Sequence, residues 1–234
     1  MAYLEGTNLV AAYGVVPILH ECSVEVEKGE LAVIVGPNGA GKSTVMRVLL
    51  GMLEATAGEV KLDGQDISTL STQERISLGL AFVPQTKNVF PSMTVEENLE
   101  MGAFLRTDDI KKTMEEVYNL FPILYEKRRQ LAEELSGGQR QQVAFGRAMM
   151  TRPSAMLLDE PTAGVSPIVM DEIFSNILDV RDAGMAVLMV EQNAQQALNI
   201  ADKGYVLVSG RNEHTGTGRE LINDPEVRKK FLGG

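Results

Sequence analysis

Gly36-Pro37-Asn38-Gly39-Ala40-Gly41-Lys42-Ser43 fills every fixed position of the pattern G-x-x-x-x-G-K-[ST]. Leu31 to Val35 before it is a continuous apolar run, which predicts a strand buried on both faces of a parallel sheet. Lys42 to Leu50 after it has helical spacing. Between strand and helix the glycines let the backbone curl, so that successive N–H groups point inward and form an anion nest. The helix that begins near Gly41 adds the positive end of its dipole. Lys42 supplies a point charge for terminal phosphates, the Ser43 hydroxyl is a ligand for Mg²⁺, and Thr44 follows them into the nucleotide-binding set.

Outward from this loop the chain alternates strand and helix. The first 30 residues read as short antiparallel strands, with turn signals at Gly14 and at Lys28-Gly29-Glu30. Gly58 to Gly64 and Ala81 to Val83 read as further strands. From Gln85 to Arg152 strand-like runs vanish and charged helical segments replace them, at Thr94 to Phe104, Asp108 to Phe121 and Gly137 to Met150. Ala155 to Leu158, Ala186 to Val190 and Tyr205 to Val208 are strands again, separated by helices over Ile168 to Asp182 and Ala194 to Ala201. This order predicts an α/β fold with a parallel sheet and flanking helices. One domain is expected over 1–234. Residues 1–85 and 153–234 would make the core and its antiparallel β part, and 86–152 a helical insertion.

The strand Ala155 to Leu158 runs straight into Asp159 and Glu160. Ligands sit at the carboxyl ends of strands in open α/β sheets, so the two carboxylates are placed to face the phosphate loop. Asp159 is expected to hold Mg²⁺ and Glu160 to act as general base on an attacking water.

The bulk numbers narrow the partners. The chain has 234 residues, 44% of them hydrophobic and 23% charged, which suits a globular domain with a full core. Its net charge of -10 repels phosphate backbones at long range, so nucleic acid is not expected as a partner. Cys22 is the single cysteine; it reads as a buried hydrophobe and fits a reducing compartment. No basic leader opens the chain and no apolar run approaches the ~18 residues of a membrane span, so a membrane role would come through a partner.

Leu135-Ser136-Gly137-Gly138-Gln139 adds a second anion-binding helix start, with Ser136 as N-cap. With this stretch the chain resembles the ABC ATPase superfamily, whose LSGGQ signature lies between a P-loop and an aspartate-glutamate strand. The resemblance covers essentially the whole chain. It implies a P-loop NTPase fold with a RecA-like parallel core, an N-terminal antiparallel β subdomain and an inserted helical subdomain. It also implies ATP and Mg²⁺ as ligands, and a head-to-tail dimer in which Ser136, Gly138 and Gln139 of one subunit reach the γ-phosphate held by the other. Tyr13, 23 residues before Gly36, corresponds to the aromatic that stacks on adenine. Gln85, just after Pro84, corresponds to the glutamine that senses Mg²⁺ and faces the membrane partner.

Two positions depart from the superfamily pattern. Ser166 stands where many relatives have Asp, and Gln192 where a switch histidine is usual. Gln192 can hydrogen-bond a phosphate or a water, but it cannot gain charge near neutral pH. Val89-Phe90-Pro91-Ser92-Met93-Thr94-Val95-Glu96-Glu97-Asn98-Leu99, Val190-Glu191-Gln192-Asn193-Ala194 and the end Phe231-Leu232-Gly233-Gly234 resemble the LivF-type ATPases of branched-chain amino-acid importers. Relatives of that type move urea or short amides. The tail from Asp224 also resembles lipopolysaccharide-export ATPases. The implied partners are a second ATPase subunit, identical or a sister chain, two membrane permeases and, through them, a substrate-binding protein. The implied location is the cytoplasmic face of the cell membrane. Val89, Phe90, Pro91 and Met93 are either a docking surface for the permease or internal packing. A soluble ABC machine of DNA repair or translation would need long coiled coils or a second ATPase domain. A P-loop kinase would leave Leu135 to Gln139 without a role.

Overall fold

The computed structural model describes residues 2–231; Met1 and the terminal Leu232-Gly233-Gly234 lie outside the described residues. Two sheets stack on each other. Strands β1 (Leu4–Tyr13), β2 (Val16–Val26), β4 (Ala57–Leu62) and β5 (Gln65–Asp66) make an antiparallel sheet in the order β2-β1-β4-β5. The turn at Gly14 falls where the sequence puts it, but β1 and β2 are 10 and 11 residues long rather than short. Asn8 and Glu21 interrupt the alternation with positive φ, and the register slips beside Asn8. Such bulges bend a long ribbon without ending it.

The second sheet holds β3 (Leu31–Val35), β6 (Leu80–Val83), β7 (Ala155–Asp159), β8 (Ala186–Val190), β9 (Lys203–Val208) and β10 (Arg211–Gly216). Its order is β10-β9-β3-β8-β7-β6, parallel throughout except that β10 runs antiparallel to β9. The sequence does not announce β10. It is a polar edge strand, Arg-Asn-Glu-His-Thr-Gly, with alternate residues exposed.

The apolar runs of β3, β7 and β8 are continuous because both faces are covered. Leu31, Val33, Val35, Met156, Leu158, Val187 and Met189 point into one core, against the helices. Ala32, Ile34, Ala155, Leu157, Ala186, Leu188 and Val190 point into the other, against the antiparallel sheet and helix α1 (Lys42–Leu49). This is the period of two expected of strands, doubled.

Between β6 and β7 lie helices α3 (Val95–Gly102), α4 (Lys111–Leu120), α5 (Pro122–Glu126) and α6 (Gly137–Met149). Thr94 and Ser136 cap α3 and α6 with reciprocal capping boxes, which sets their starts. Buried Asn98 fixes the preceding loop: its Nδ2 donates to the carbonyls of Phe90, Met93 and Thr94, and its Oδ1 accepts from the Phe90 N–H. Val89 therefore packs inward while the Phe90 ring stays 39% exposed beneath Arg147, so the loop is partly packing and partly surface. Four short helices escape the periodicity reading: α5, α2 (Thr72–Ser77), α9 (Gly218–Asn223) and α10 (Pro225–Phe231). Helices α7 (Pro167–Asp182) and α8 (Ala194–Ile200) flank β8 as the sequence indicates. Among the described residues no helix is long and apolar enough to cross a membrane.

Arg75 of α2 holds the far end of α1. Its guanidinium is buried and donates to the carbonyls of Val48 and Leu49 (2.8 Å each), Ser68 (2.8 Å) and Leu70 (3.0 Å). A cation at a helix C-terminus meets the orphan carbonyls and the negative dipole end together. Arg75→Leu strands those carbonyls, so it should destabilise the chain by about 3 kcal/mol, read as a lower urea midpoint at unchanged slope.

Candidate functional site

Strand β3 ends at Val35, and the chain then turns through Gly36 at φ 147°. A Cβ here would run into the Leu207 carbonyl of β9, so only glycine lets the loop leave the sheet at this point. The loop closes on itself through Ala40 N–H to the Pro37 carbonyl (3.1 Å) and is tied to Gly210 N–H through the Ala40 carbonyl (2.9 Å). Unlike α2, α3, α6 and α9, helix α1 has no side-chain cap: its N-cap is Gly41, at φ 101°. Its first N–H groups are left for an anion. Lys42 folds back and donates to the Gly36 carbonyl (2.8 Å) and the Pro37 carbonyl (3.3 Å). Burial lowers its pKa, and the negative charges of Glu160, Asp159 and Glu191 oppose that shift. Pro37, Asn38, Gly39 and Ser43 face solvent, whereas Ala40, Gly41 and Thr44 are buried.

Strand β7 delivers Asp159 and Glu160 beside this loop. Burial, and then the neighbouring charge of Glu160, raise the Asp159 pKa against Arg47, Lys42 and a hydrogen bond from Ser43. Asp159 Oδ1 is buried with no hydrogen-bond partner. An orphaned carboxylate oxygen beside a serine hydroxyl is a hard-oxygen donor pair, and it fits Mg²⁺. Among the described residues no three Asp, Glu, His or Cys side chains are grouped to hold a metal. A cation here would therefore be completed by phosphate and water, the usual habit of Mg²⁺. Glu160 sits in the left-handed region, φ 45°, held by its N–H on the Val190 carbonyl (2.9 Å). Gln85 Nε2 donates to Glu160 Oε2 at 2.9 Å. The residues expected from β3, β6 and β7 thus converge.

The other expected residues make no side-chain hydrogen bond to this cluster among the described residues. Tyr13, at the end of β1, is 43% exposed; its hydroxyl accepts from Arg47 of α1 (2.9 Å), whose guanidinium also lies over the ring, 5.9 Å from its centroid. Ser136 and Gln139 bond each other: the Gln139 N–H donates to Ser136 Oγ (3.3 Å) and the Ser136 N–H to Gln139 Oε1 (3.2 Å). Gly138 lies against Glu172 and Val169 of α7, where a Cβ would come within 2.9 Å of the Glu172 carboxylate. Ser136 and Gly137 are exposed. Gln192 is exposed just past β8, its N–H donated to Glu191 Oε2 (3.0 Å).

An ABC transporter family model matches residues 19–163. The chain belongs to the ABC transporter ATP-binding family. It is similar to the high-affinity branched-chain amino acid transport ATP-binding protein BraG of Pseudomonas aeruginosa, at 44% identity over 95% of this chain and 96% of that protein. It is also similar to the probable branched-chain amino acid transport ATP-binding protein LivF of Archaeoglobus fulgidus, at 38% identity over 98% of both chains. A crystal structure of an ATP-binding cassette of an ABC transporter, in its ADP conformation, superposes with a TM-score of 0.91 at 30% identity over the whole of both chains. As an ABC ATP-binding subunit, the chain has the α/β fold the phosphate loop predicted.

Sequence reasoning passed over two residues of this site. Glu191 entered only as part of a likeness, and Thr162 was given no role. Both are 1% exposed, and they bond each other behind Glu160. The signal available was a charged residue directly after the apolar strand β8, one residue past the level of Asp159.

Asp159 leads to a prediction of opposite sign for stability and for function. Its pKa is raised, so the folded chain holds its proton more tightly than the unfolded chain does. Ionising it then works against folding as pH rises through the carboxylate range. Asp159→Asn keeps the shape and removes that charge. At pH 7 and without nucleotide its Tm should rise, by about 2–4 °C per kcal/mol relieved, while added Mg²⁺-nucleotide stabilises it less than wild type. A lower Tm in calorimetry would contradict the electrostatic reading.

Proposed function

We propose that the chain binds ATP at Gly36 to Thr44 and hydrolyses it with Glu160 as general base, as the motor subunit of a branched-chain amino-acid importer. The observation that carries this is the convergence of Lys42, Ser43, Asp159, Glu160 and Gln85 at the carboxyl ends of neighbouring strands. The phosphates replace the Gly36 and Pro37 carbonyls around the Lys42 ammonium and accept from the uncapped N–H groups of α1. Tyr13 offers its ring to adenine. Bound Mg²⁺, on Ser43 and Asp159 with Gln85 as a further oxygen donor, would neutralise charge on the β- and γ-phosphates. Glu160 takes a proton from water as the oxygen attacks the γ-phosphorus; the bond to the bridging oxygen breaks, leaving ADP and phosphate. Gln85 orients Glu160, and Gln192 hydrogen-bonds the γ-phosphate or the water without gaining charge.

Ser136, Gly138 and Gln139 act on the nucleotide of a second ATPase subunit, identical or a sister chain. The exposure of Ser136 and Gly137 at this helix start supports this reading, and among the described residues Ser136 and Gln139 bond each other rather than their own phosphate loop. The helical segment 86–152 turns as a unit when that dimer closes and carries the motion to membrane permeases, which a substrate-binding protein loads. A groove of about 350 Å³ bounded by Leu50, Met52, Phe82, Phe90, Met101 and Arg147 lies between this segment and the core, next to the loop after Gln85. Its exposed Met52, Phe90 and Met101 suit an apolar permease segment. The likeness to BraG and LivF supports amino-acid uptake. The chain would then sit on the cytoplasmic face of the membrane.

Glu160→Gln keeps shape and polarity but cannot take the proton. It should bind ATP as wild type does and lose hydrolysis by about 10²-fold or more; turnover near the wild-type rate would refute the base assignment. Phe90→Asp should leave ATP hydrolysis by the isolated chain unchanged and abolish its recovery with the permeases on affinity purification.

A further inference from the structure

Glu191 is a buried carboxylate in the middle of this machinery, and nothing in the hydrolysis scheme uses it. It is 1% exposed, between Val190, which ends β8, and Gln192. Its two oxygens serve two different loops. Oε1 accepts from the Thr162 N–H (3.0 Å) and the Thr162 hydroxyl (2.8 Å), in the loop that leaves Glu160. Oε2 accepts from the Gln192 N–H (3.0 Å), in the loop after β8, where the Asn193 N–H also bonds the carboxylate. Its own N–H donates to the Ile34 carbonyl of β3, the strand that leads into the phosphate loop (3.1 Å).

Burial of this charge is unfavourable and raises the Glu191 pKa, and the hydrogen bonds from Thr162, Gln192 and Asn193 offset the rise. A carboxylate kept in such a place for packing alone would be replaceable by an apolar residue. What an apolar residue cannot do is accept from two loops at once. Glu160 also sits in a sparsely populated backbone region, and such a residue persists only when its surroundings over-determine it. On one side the Val190 carbonyl holds the Glu160 N–H; two residues on, Glu191 holds Thr162.

The geometry points to Glu191 as a positioning residue that clamps the Glu160 and Gln192 loops together and fixes both side chains at the γ-phosphate end of the site. Its oxygens are occupied by loop donors, so it acts through Glu160 and Gln192. The inference rests on the proposed role of Glu160 in hydrolysis.

Glutamine at 191 has one acceptor oxygen and one NH₂ group. The NH₂ must face either the Thr162 donors or the Gln192 and Asn193 donors, so one loop lets go. A displacement of about 1 Å at a reacting group lowers turnover about 10²-fold. Full-length Glu191→Gln should therefore lose kcat by about 10- to 100-fold with its ATP dissociation constant within about twofold of wild type, because the side-chain hydrogen bonds of Glu191 go to Thr162 and the loop after β8 and not to the phosphate loop. Thr162→Ser, which keeps both donors, should retain kcat, and Thr162→Val, which keeps only the N–H, should lose it. The double variant Glu191→Gln/Thr162→Val should be no slower than the slower single one. If Glu191→Gln does not fold, the Thr162 pair decides alone. Folded Glu191→Gln and Thr162→Val that both turn over at the wild-type rate would overturn the inference. So would ATP affinity and kcat falling in step with Tm, which is the mark of a purely structural residue. Glu160→Gln, run beside them, separates the two claims. If it is inactive while Glu191→Gln is unimpaired, only the clamp is wrong; if it is active, the base assignment is wrong.

Discussion

Val190 pairs with Ile34 of β3 on one side and with Asp159 of β7 on the other. That parallel register brings three chains out of the sheet at one level, carrying the phosphate loop, the Asp159-Glu160 pair and the Glu191-Gln192 pair. Slip either pairing by one residue and every core side chain of that strand changes face, because side chains alternate with period two. Two apolar cores, one on each side of the sheet, hold the register, so the position of a few charges is fixed by burial of many methyl groups.

The charges themselves are poorly solvated. Lys42 spends its hydrogen bonds on loop carbonyls, Asp159 keeps a buried oxygen without a partner, and Glu191 is enclosed. Each shift has burial as its first cause, in the direction that disfavours the charged form. A site in this condition is preorganised for a ligand that brings anionic oxygens and a cation together. Such a ligand would pair Lys42 and Asp159 at the same time. Stability surrendered without the ligand is recovered on binding.

Much of this was legible in the sequence, for identifiable reasons. Leu31 to Val35, Ala155 to Leu158 and Ala186 to Val190 are apolar at every position, which only a doubly covered strand needs. Gly36 to Ser43 and Leu135 to Gln139 are loop-to-helix starts whose residue types are dictated by backbone geometry. Elements decided by neighbours were not legible. β10 is polar and exists because β9 offers an edge. α2, α5, α9 and α10 are too short for periodicity to speak. The length of β1 and β2 depends on bulges at Asn8 and Glu21, which are ordinary-looking residues. Glu191 illustrates the same limit within the site. Nothing in its local sequence reveals that Thr162, far back in the chain, turns its N–H and hydroxyl toward it.

In the proposed motor the exposed start of α6 closes over a nucleotide held by another subunit. Gly137 allows a direct test. It is exposed, a Cβ there meets nothing within 4 Å, and the single native cysteine, Cys22, is buried and its thiol pushed up to about 12. A thiol placed at Gly137→Cys in the Glu160→Gln background therefore reports on this surface alone, through its rate of reaction with a maleimide. The account predicts that ATP slows labelling when the cognate ATPase partner is present, and leaves it unchanged when this chain is held monomeric. Labelling that ATP never slows in any assembly, or that ATP slows equally in the monomer, would contradict it.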